Sequence, residues 1–120
     1  MHKKEVFKKL ASKYNIHLYT GLYGYVMRYC HRQLENFNRE KKYSKVLEIG
    51  AGDAPHLDYL EHEYDEYFIA ETSSYAIESC RETKNIKAHS YDGVNLPFEN
   101  NFFDRIIISQ CLEHINEPEK

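Results

Sequence analysis

From Lys45 onward, short apolar runs alternate with segments of helical periodicity, and this alternation constrains the fold more than any other feature of the sequence. Four runs predict strands, at 46–50, 66–70, 85–92 and 103–109. Two intervening segments predict helices, at 54–63 and 73–82. This order is typical of an α/β fold with a parallel sheet and right-handed crossovers. Ligands of such sheets bind at the carboxyl ends of the strands, so the residues after each run are the functional candidates.

A glycine-rich turn follows the first run, in the sequence E-I-G-A-G-D from Glu48 to Asp53. Glycines at alternate positions let the backbone turn sharply and leave space for a ligand to approach closely. A dinucleotide-binding turn holds an anionic pyrophosphate on the helix N-terminus, which the two carboxylates would oppose. The turn therefore favours a ligand that carries a cationic group, and the alternative is a purely structural tight turn.

Acidic residues also follow the second and third runs. Glu71 comes 21 residues after Gly50, at about the position where a carboxylate accepts both ribose hydroxyls in nucleotide-binding αβ units. The pair Asp92-Gly93 can accept the exocyclic amine of adenine and offer a backbone N–H to its ring. Taken singly, Glu71 can be an exposed strand end and Asp92-Gly93 an ordinary turn. Their shared position after strands favours the binding of an adenosine group.

These segments resemble successive motifs of class I S-adenosylmethionine-dependent methyltransferases of the small-molecule methyltransferase type. The resemblance rests on VLEIGAGDAPHL, FIAETSSYAIESCR and SYDGVNLPFENNFFDRIIISQCLEHI, and it covers residues 45–116 in order. It implies a Rossmann-like, mostly parallel sheet that binds S-adenosylmethionine and releases S-adenosylhomocysteine. The family's sheet has seven strands, whereas the sequence has the pattern of about four. We therefore expect the C-terminal strands to be missing and the chain to be part of a longer enzyme.

Carried over position by position, the resemblance implies residues at the methionine end of the cofactor. Four residues of the first turn would surround the methionine group: Glu48, Gly50, Ala51 and Gly52. Two residues after the fourth run would face the amino-acid portion or the sulfonium: Ser109 and Gln110. Ala54 stands where the family's third glycine is common, which removes no binding group.

The resemblance also implies residues at the adenosine end. Glu71, in place of the more frequent Asp, would hold the ribose, and Thr72 would lie beside the adenine. Asp92 and Gly93 would hold the adenine, and Val94 would pack near it.

Residues 1–44 are predicted to form a helical extension before the core at 45–120, with helices at 3–14 and 22–42. The second helix has an apolar stripe of Leu22, Val26, Cys30 or Tyr29, Leu34 and Phe37. Residues 1–45 carry eleven Lys and Arg against three Glu, whereas residues 46–120 carry five against sixteen Asp and Glu. In the family, such an extension commonly caps the cofactor and helps to build the acceptor pocket. Its positive charge and tyrosines suit an anionic small-molecule acceptor, and the alternative is a solvated lysine face with half-buried tyrosines.

Methyl transfer from a sulfonium is an in-line displacement, so the positioning of the acceptor contributes much of the acceleration. His114, just beyond the fourth run, is the predicted general base for an acceptor that must lose a proton. His31 and His17 in the extension are weaker candidates, and a lone histidine is more often structural. The sequence predicts no metal site.

Other features of the sequence limit the partners and the location. The acidic core argues against nucleic acid. The sequence has neither an apolar run of about 18–20 residues nor a secretory signal, so we expect no stable membrane association and a cytoplasmic location. Cys30, Cys80 and Cys111 share no CxxC spacing and are predicted to be buried thiols.

The predicted function is methyl transfer from S-adenosylmethionine to an O or N atom of a small-molecule acceptor. The alternative is a non-catalytic S-adenosylmethionine-binding fragment or partner subunit that another chain completes. That alternative arises because the three-isoleucine strand would leave an apolar sheet edge, which also favours self-association. A nucleotide-dependent oxidoreductase ranks third, because Glu48 and Asp53 oppose a pyrophosphate.

Overall fold

The computed structural model describes residues 20–52, 55–82, 86–109 and 111. The chain divides into two compact units, residues 1–37 and residues 38–120. The predicted helix at 3–14 lies outside the described residues, as do the candidate residues Gln110, His17 and His114.

The first unit contains helix α1, Gly21–Glu35, which ends seven residues earlier than the predicted helix at 22–42. The last residues of the predicted helix form turns at 36–40, and the chain enters a strand at Lys42. The buried face is also different from the predicted apolar stripe. Four positions at spacings of three and four are buried: Gly24, Met27, His31 and Glu35. The stripe residues are largely exposed, because periodicity shows that a helix has faces but not which face a neighbour covers.

The second unit is a four-stranded, fully parallel sheet with the strand order β3-β2-β1-β4. Its strands are β1, Lys42–Ile49; β2, Glu63–Glu71; β3, Ile86–Ser90; and β4, Arg105–Ile108. Helix α2, Ser74–Arg81, connects β2 to β3, and Ser73 caps it by accepting a hydrogen bond from the Ala76 N–H. The predicted Rossmann-like architecture, with four strands present, is thus confirmed.

The connection after β1 differs from the prediction. A 3₁₀ helix, Pro55–Tyr59, replaces the longer helix expected at 54–63. Proline suits the first turn of a helix because it has no N–H to leave unpaired. The chain then enters β2 at Glu63, the last residue of the predicted helix.

Two apolar clusters cover the two faces of the sheet. On one face, Val46, Tyr67, Ile69 and Ile107 pack with residues of α2. On the other face, Phe68 lies at the centre of a group of aromatic rings: Tyr91, Phe98, Phe102 and Phe103. Burial on both faces explains why the strands appear in the sequence as nearly continuous apolar runs.

Strand β4 lies at one edge of the sheet and pairs with β1. The exposed fractions of Ile106 and Ile108 are 54% and 43%. Within the described ranges, no helix is both long and apolar enough to cross a membrane.

Candidate cofactor site at the strand ends

The register of the sheet brings the ends of the strands to one level. Ile49 pairs with both Ala70 and Ile108, and Glu71 pairs with Ser90. The residues that follow these positions therefore lie along one edge of the sheet, where α/β folds bind their ligands.

The turn after β1 requires glycine at two positions. Gly50 has φ +65° and Gly52 has φ +55°, conformations that cost a residue with a Cβ atom about 1–2 kcal/mol. The Gly50 N–H donates to the Ala70 carbonyl at 2.9 Å. A Cβ atom built on Gly50 would lie 2.8 Å from the Cys111 sulfur, whereas one on Gly52 would meet nothing within 4 Å. Gly50 is therefore needed for packing, whereas a Cβ atom on Gly52 would face open space.

The Glu71 carboxylate joins the end of β2 to this turn. Its Oε2 accepts a hydrogen bond from the Gly52 N–H at 3.0 Å. Its Oε1 accepts from the backbone N–H groups of Thr72, at 2.7 Å, and Ser73, at 3.1 Å. Glu71, the residue predicted to bind the ribose, thus lies beside the turn predicted to surround the methionine group. Its hydrogen bond from Gly52 also holds that turn in place.

Glu48 is a buried acid beneath the same turn. Its exposed fraction is 2%, and its Oε2 accepts a hydrogen bond of 2.6 Å from the Tyr67 hydroxyl. Burial raises its pKa to about 7; the nearby Glu71 also raises the pKa, whereas the Tyr67 hydrogen bond and Arg105 lower it. The sequence predicts a carboxylate at Glu48, whereas its burial in the structure favours the neutral form.

Asp92 forms a tight turn after β3. Its Oδ1 accepts from the N–H groups of Val94, at 2.8 Å, and Asn95, at 2.6 Å, and its Oδ2 accepts from the Asn95 side-chain amide at 3.0 Å. The hydrogen bonds from Asn95, followed by that from Val94, lower the pKa of Asp92 to about 2. A Cβ atom on Gly93, which has φ +92°, would lie 3.8 Å from the Thr72 methyl carbon. The predicted adenine residues of β2 and β3 are therefore neighbours, and Asp92 stays ionised.

The remaining predicted residues have different positions. Ala51 is buried within the turn and packs in the same cluster as Val46. Ser109 directly follows Ile108, which pairs with Ile49 at the level of the turn. His31 is buried in α1, in the first unit.

Three residues of the site were missed as functional candidates. Tyr67 contacts Glu48, the Cys80 thiol donates to the Gly52 carbonyl at 3.4 Å, and the Cys111 thiol donates to the Ile49 carbonyl at 3.2 Å. Cys80 and Cys111 are buried as predicted, and Cys30 is only partly buried. The position of Cys111 just after β4 was a usable signal, because other strand ends carry site residues. In the part of the chain that the structure describes, no group of three or more His, Cys, Asp or Glu could hold a metal ion.

A comparison with known protein families shows to which family this chain belongs. The family described as "Methyltransferase domain" matches residues 47–120. The chain belongs to this methyltransferase family. No curated protein matches the chain significantly.

Solved structures of methyltransferases share the fold. A complex between the Haloferax volcanii Trm112 methyltransferase activator and a methyltransferase matches with a TM-score of 0.69 and 14% identity, over 93% of this chain and 49% of that chain. A SAM dependent methyltransferase from Aquifex aeolicus matches with a TM-score of 0.59 and 18% identity, over 72% and 50%. The plantazolicin methyltransferase BpumL, solved with SAH, matches with a TM-score of 0.50 and 23% identity, over 77% and 36%. The chain thus spans half or less of the length of these solved chains.

Proposed function

We propose that this chain is the cofactor-binding part of an S-adenosylmethionine-dependent methyltransferase that modifies an O or N atom of a small-molecule acceptor. The observation that carries the proposal is the Glu71–Gly52 contact of 3.0 Å beside the buried Glu48. Both acids lie at one glycine turn, where Glu71 would accept the ribose hydroxyls and Glu48 would attract a cation. Membership of the methyltransferase family supports the same cofactor.

The described residues fit this cofactor. Gly52 leaves open space beside the turn, where the methionine group would lie close to the backbone. Glu48 would attract the ammonium and sulfonium charges, and Glu71 would accept the ribose hydroxyls. The adenine would contact Asp92, Gly93, Val94 and Thr72, and Ser109 would lie at the methionine end. Gln110, outside the described residues, is proposed for the same end from the sequence alone.

The bound cofactor supplies an activated methyl group, and the protein orients the acceptor in line with it. His114 would take a proton from an acceptor that must lose one. The basic extension would bind the acceptor, for which an anionic group is favoured by charge. A cytoplasmic location suits the free thiols of Cys30, Cys80 and Cys111.

The second candidate is a non-catalytic S-adenosylmethionine-binding subunit completed by another chain. The exposed Ile106 and Ile108 on β4 favour it, because a partner or a second copy could cover them. The Haloferax volcanii relative, solved with an activator protein, gives a precedent for such a partner.

Calorimetry with S-adenosylhomocysteine, S-adenosylmethionine and NAD tests the cofactor. We expect both adenosyl ligands to bind and NAD not to bind. Glu71→Ala should weaken S-adenosylhomocysteine binding by about 10- to 100-fold, the scale of lost hydrogen bonds to a charged group. The matched control is Glu78→Ala, on the exposed side of α2, which should bind normally. If a folded chain binds neither adenosyl ligand, the proposed cofactor is wrong.

Transfer of a radiolabelled methyl group separates the enzyme from the binding subunit. The chain is incubated with labelled S-adenosylmethionine and with small acceptors that carry hydroxyl, carboxyl or amine groups. Labelled product from the chain alone supports the enzyme. Cofactor binding without product, followed by product only after a second protein is added, supports the subunit.

A further inference from the structure

We propose that Tyr67 is a positioning residue for the cofactor, since its hydroxyl sets the orientation and the charge state of the Glu48 carboxyl beneath the Gly50–Gly52 turn. This inference rests on the proposed function, because it takes the cofactor to lie on that turn. It goes beyond that function in two ways. Tyr67 acts on the cofactor through Glu48 and not by direct contact, and cofactor binding is coupled to the release of a proton.

The geometry of the pair restricts the Glu48 side chain. Glu48 pairs across the sheet with Ile69, and Tyr67 lies two residues before Ile69 on the same face of β2. The Tyr67 side chain spans this step and places its hydroxyl 2.6 Å from Glu48 Oε2. Tyr67 is fully buried, so its ring has a fixed place in the apolar cluster with Val46 and Ile107. Packing of the ring therefore fixes the direction of the carboxyl.

Two of the strands packed on this face carry the groups that shift the pKa of Glu48. Tyr67 and Glu71 come from β2, and Arg105 comes from β4. Cys80 of α2 belongs to the same apolar cluster, and His56 is buried in the 3₁₀ helix, whose Leu57 packs on that cluster. Burial outweighs the other contributions and raises the pKa of Glu48 to about 7, whereas the Tyr67 hydrogen bond and, to a smaller extent, Arg105 lower it.

A cation bound next to Glu48 favours its ionised form, so binding breaks the carboxyl O–H bond and passes the proton to the buffer. The direction of the pH effect follows. With a free-state pKa of about 7, cofactor affinity rises with pH and levels off above about 7. If the bound acid is fully ionised, affinity increases about tenfold between pH 6 and pH 8, and about 0.9 proton is released per ligand at pH 6.

Calorimetry with S-adenosylhomocysteine at pH 6, 7 and 8, in buffers of different ionisation enthalpy, measures affinity and proton release together. Glu48→Gln should bind at least tenfold more weakly at pH 8 and lose the pH dependence. Tyr67→Phe should move the midpoint of the affinity profile to higher pH, because the hydrogen bond that lowers the pKa is lost. Urea unfolding of each variant shows that it is folded under the binding conditions.

Two variants serve as matched controls. Tyr64→Phe removes a hydroxyl from the neighbouring ring, whose centroid lies 5.4 Å from that of Tyr67, and should leave the profile unchanged. His56→Gln removes the buried imidazole of the 3₁₀ helix and should retain the proton release.

The possible results are distinct. If the wild-type chain does not bind S-adenosylhomocysteine at any pH, the proposed function fails and this inference fails with it. If the ligand binds without proton release between pH 6 and 8, the inference is wrong and the proposed function stands. If Tyr67→Phe lowers affinity equally at all three pH values, Tyr67 has only a structural role and the inference is likewise overturned.

Discussion

Replacing Gly50 by alanine should damage the site through packing, whereas the same change at Gly52 should act mainly on the ligand. Both glycines have nearly the same backbone conformation, with φ of +65° and +55°. They differ in what an added methyl group would meet. At Gly50 it would lie 2.8 Å from the sulfur and 2.9 Å from the Cβ of Cys111, and at Gly52 it would meet nothing within 4 Å.

The expected loss of stability is the sum of three contributions. A positive φ costs alanine about 1–2 kcal/mol at either position. Overlap with Cys111 adds about 1–3 kcal/mol at Gly50 alone, the usual cost of overpacking. Alanine also lowers the entropy of the unfolded chain by an amount worth about 0.4–1 kcal/mol, which is equal for both variants. We therefore expect Gly50→Ala to lower the free energy of unfolding by about 2–4 kcal/mol, and Gly52→Ala by about 1 kcal/mol.

Urea unfolding followed by far-ultraviolet circular dichroism measures these changes, and calorimetry with S-adenosylhomocysteine measures the site. Gly21→Ala is the control for backbone strain, because Gly21 has φ +60° and nothing within 4 Å of an added Cβ. It should match Gly52→Ala in stability and match the wild type in binding. Gly52→Ala should weaken binding at least tenfold, because its methyl group points into the space assigned to the ligand.

Two results would refute this reasoning. Equal destabilisation by Gly50→Ala and Gly52→Ala would mean that Cys111 does not pack against the turn. Unchanged ligand affinity of Gly52→Ala, in a folded sample, would mean that the cofactor does not lie beside this glycine.

Three further changes test the core and its ionisation by urea unfolding. Phe68→Ala should lower the free energy of unfolding by about 3–5 kcal/mol, because a buried ring in contact with four others is lost. Phe37→Ala, at an exposed position, should lower it by less than about 0.5 kcal/mol, and equal effects would contradict the packing. Asp104→Ala should cost about 1–2 kcal/mol, because its carboxylate accepts from the N–H groups of residues 44 and 45 and so joins β4 to β1, and the exposed Asp58→Ala is its control. Wild-type stability should fall by about 3 kcal/mol as the pH rises from about 4.5 to above 7, because folding raises the pKa of Glu48, and Glu48→Gln should abolish that part of the pH dependence; an unchanged slope would contradict the assignment.

The sheet could be predicted from the sequence because strands buried on both faces leave nearly continuous apolar runs. All four predicted strands are present, and the helix over 73–82 is present as α2. The segment at 54–63 was predicted less well, since only five of its residues form a 3₁₀ helix before β2 begins. Helix α1 shows a similar limit. Its periodicity indicated a helix, but the face that carries His31 and Glu35 is buried in place of the apolar stripe.

The position of each site residue at the carboxyl end of the sheet was predictable, because parallel strands all end at that edge. The hydrogen bonds were not predictable, since they depend on side chains from other strands. Nothing in the sequence indicates that Tyr67 reaches Glu48, or that burial brings the pKa of that acid to about 7. The sequence likewise predicts that the Asp92 carboxylate is available to bind the adenine. In the structure this carboxylate accepts the hydrogen bonds that close the turn to Asn95.

The contact between Glu71 and Gly52 sharpens the choice between an adenosyl cofactor and a dinucleotide. A dinucleotide-binding turn directs its backbone N–H groups at a pyrophosphate. Here the Gly52 N–H donates to a carboxylate at 3.0 Å, which occupies that donor and places negative charge beside it. A pyrophosphate would have to displace Glu71 and then lie close to its charge, at a cost that the neutral ribose of an adenosyl ligand avoids. The sequence analysis predicted that the carboxylates of Glu48 and Asp53 disfavour a bound pyrophosphate. Because burial raises the pKa of Glu48 to about 7, Glu71 supplies most of the negative charge that opposes a pyrophosphate at this turn.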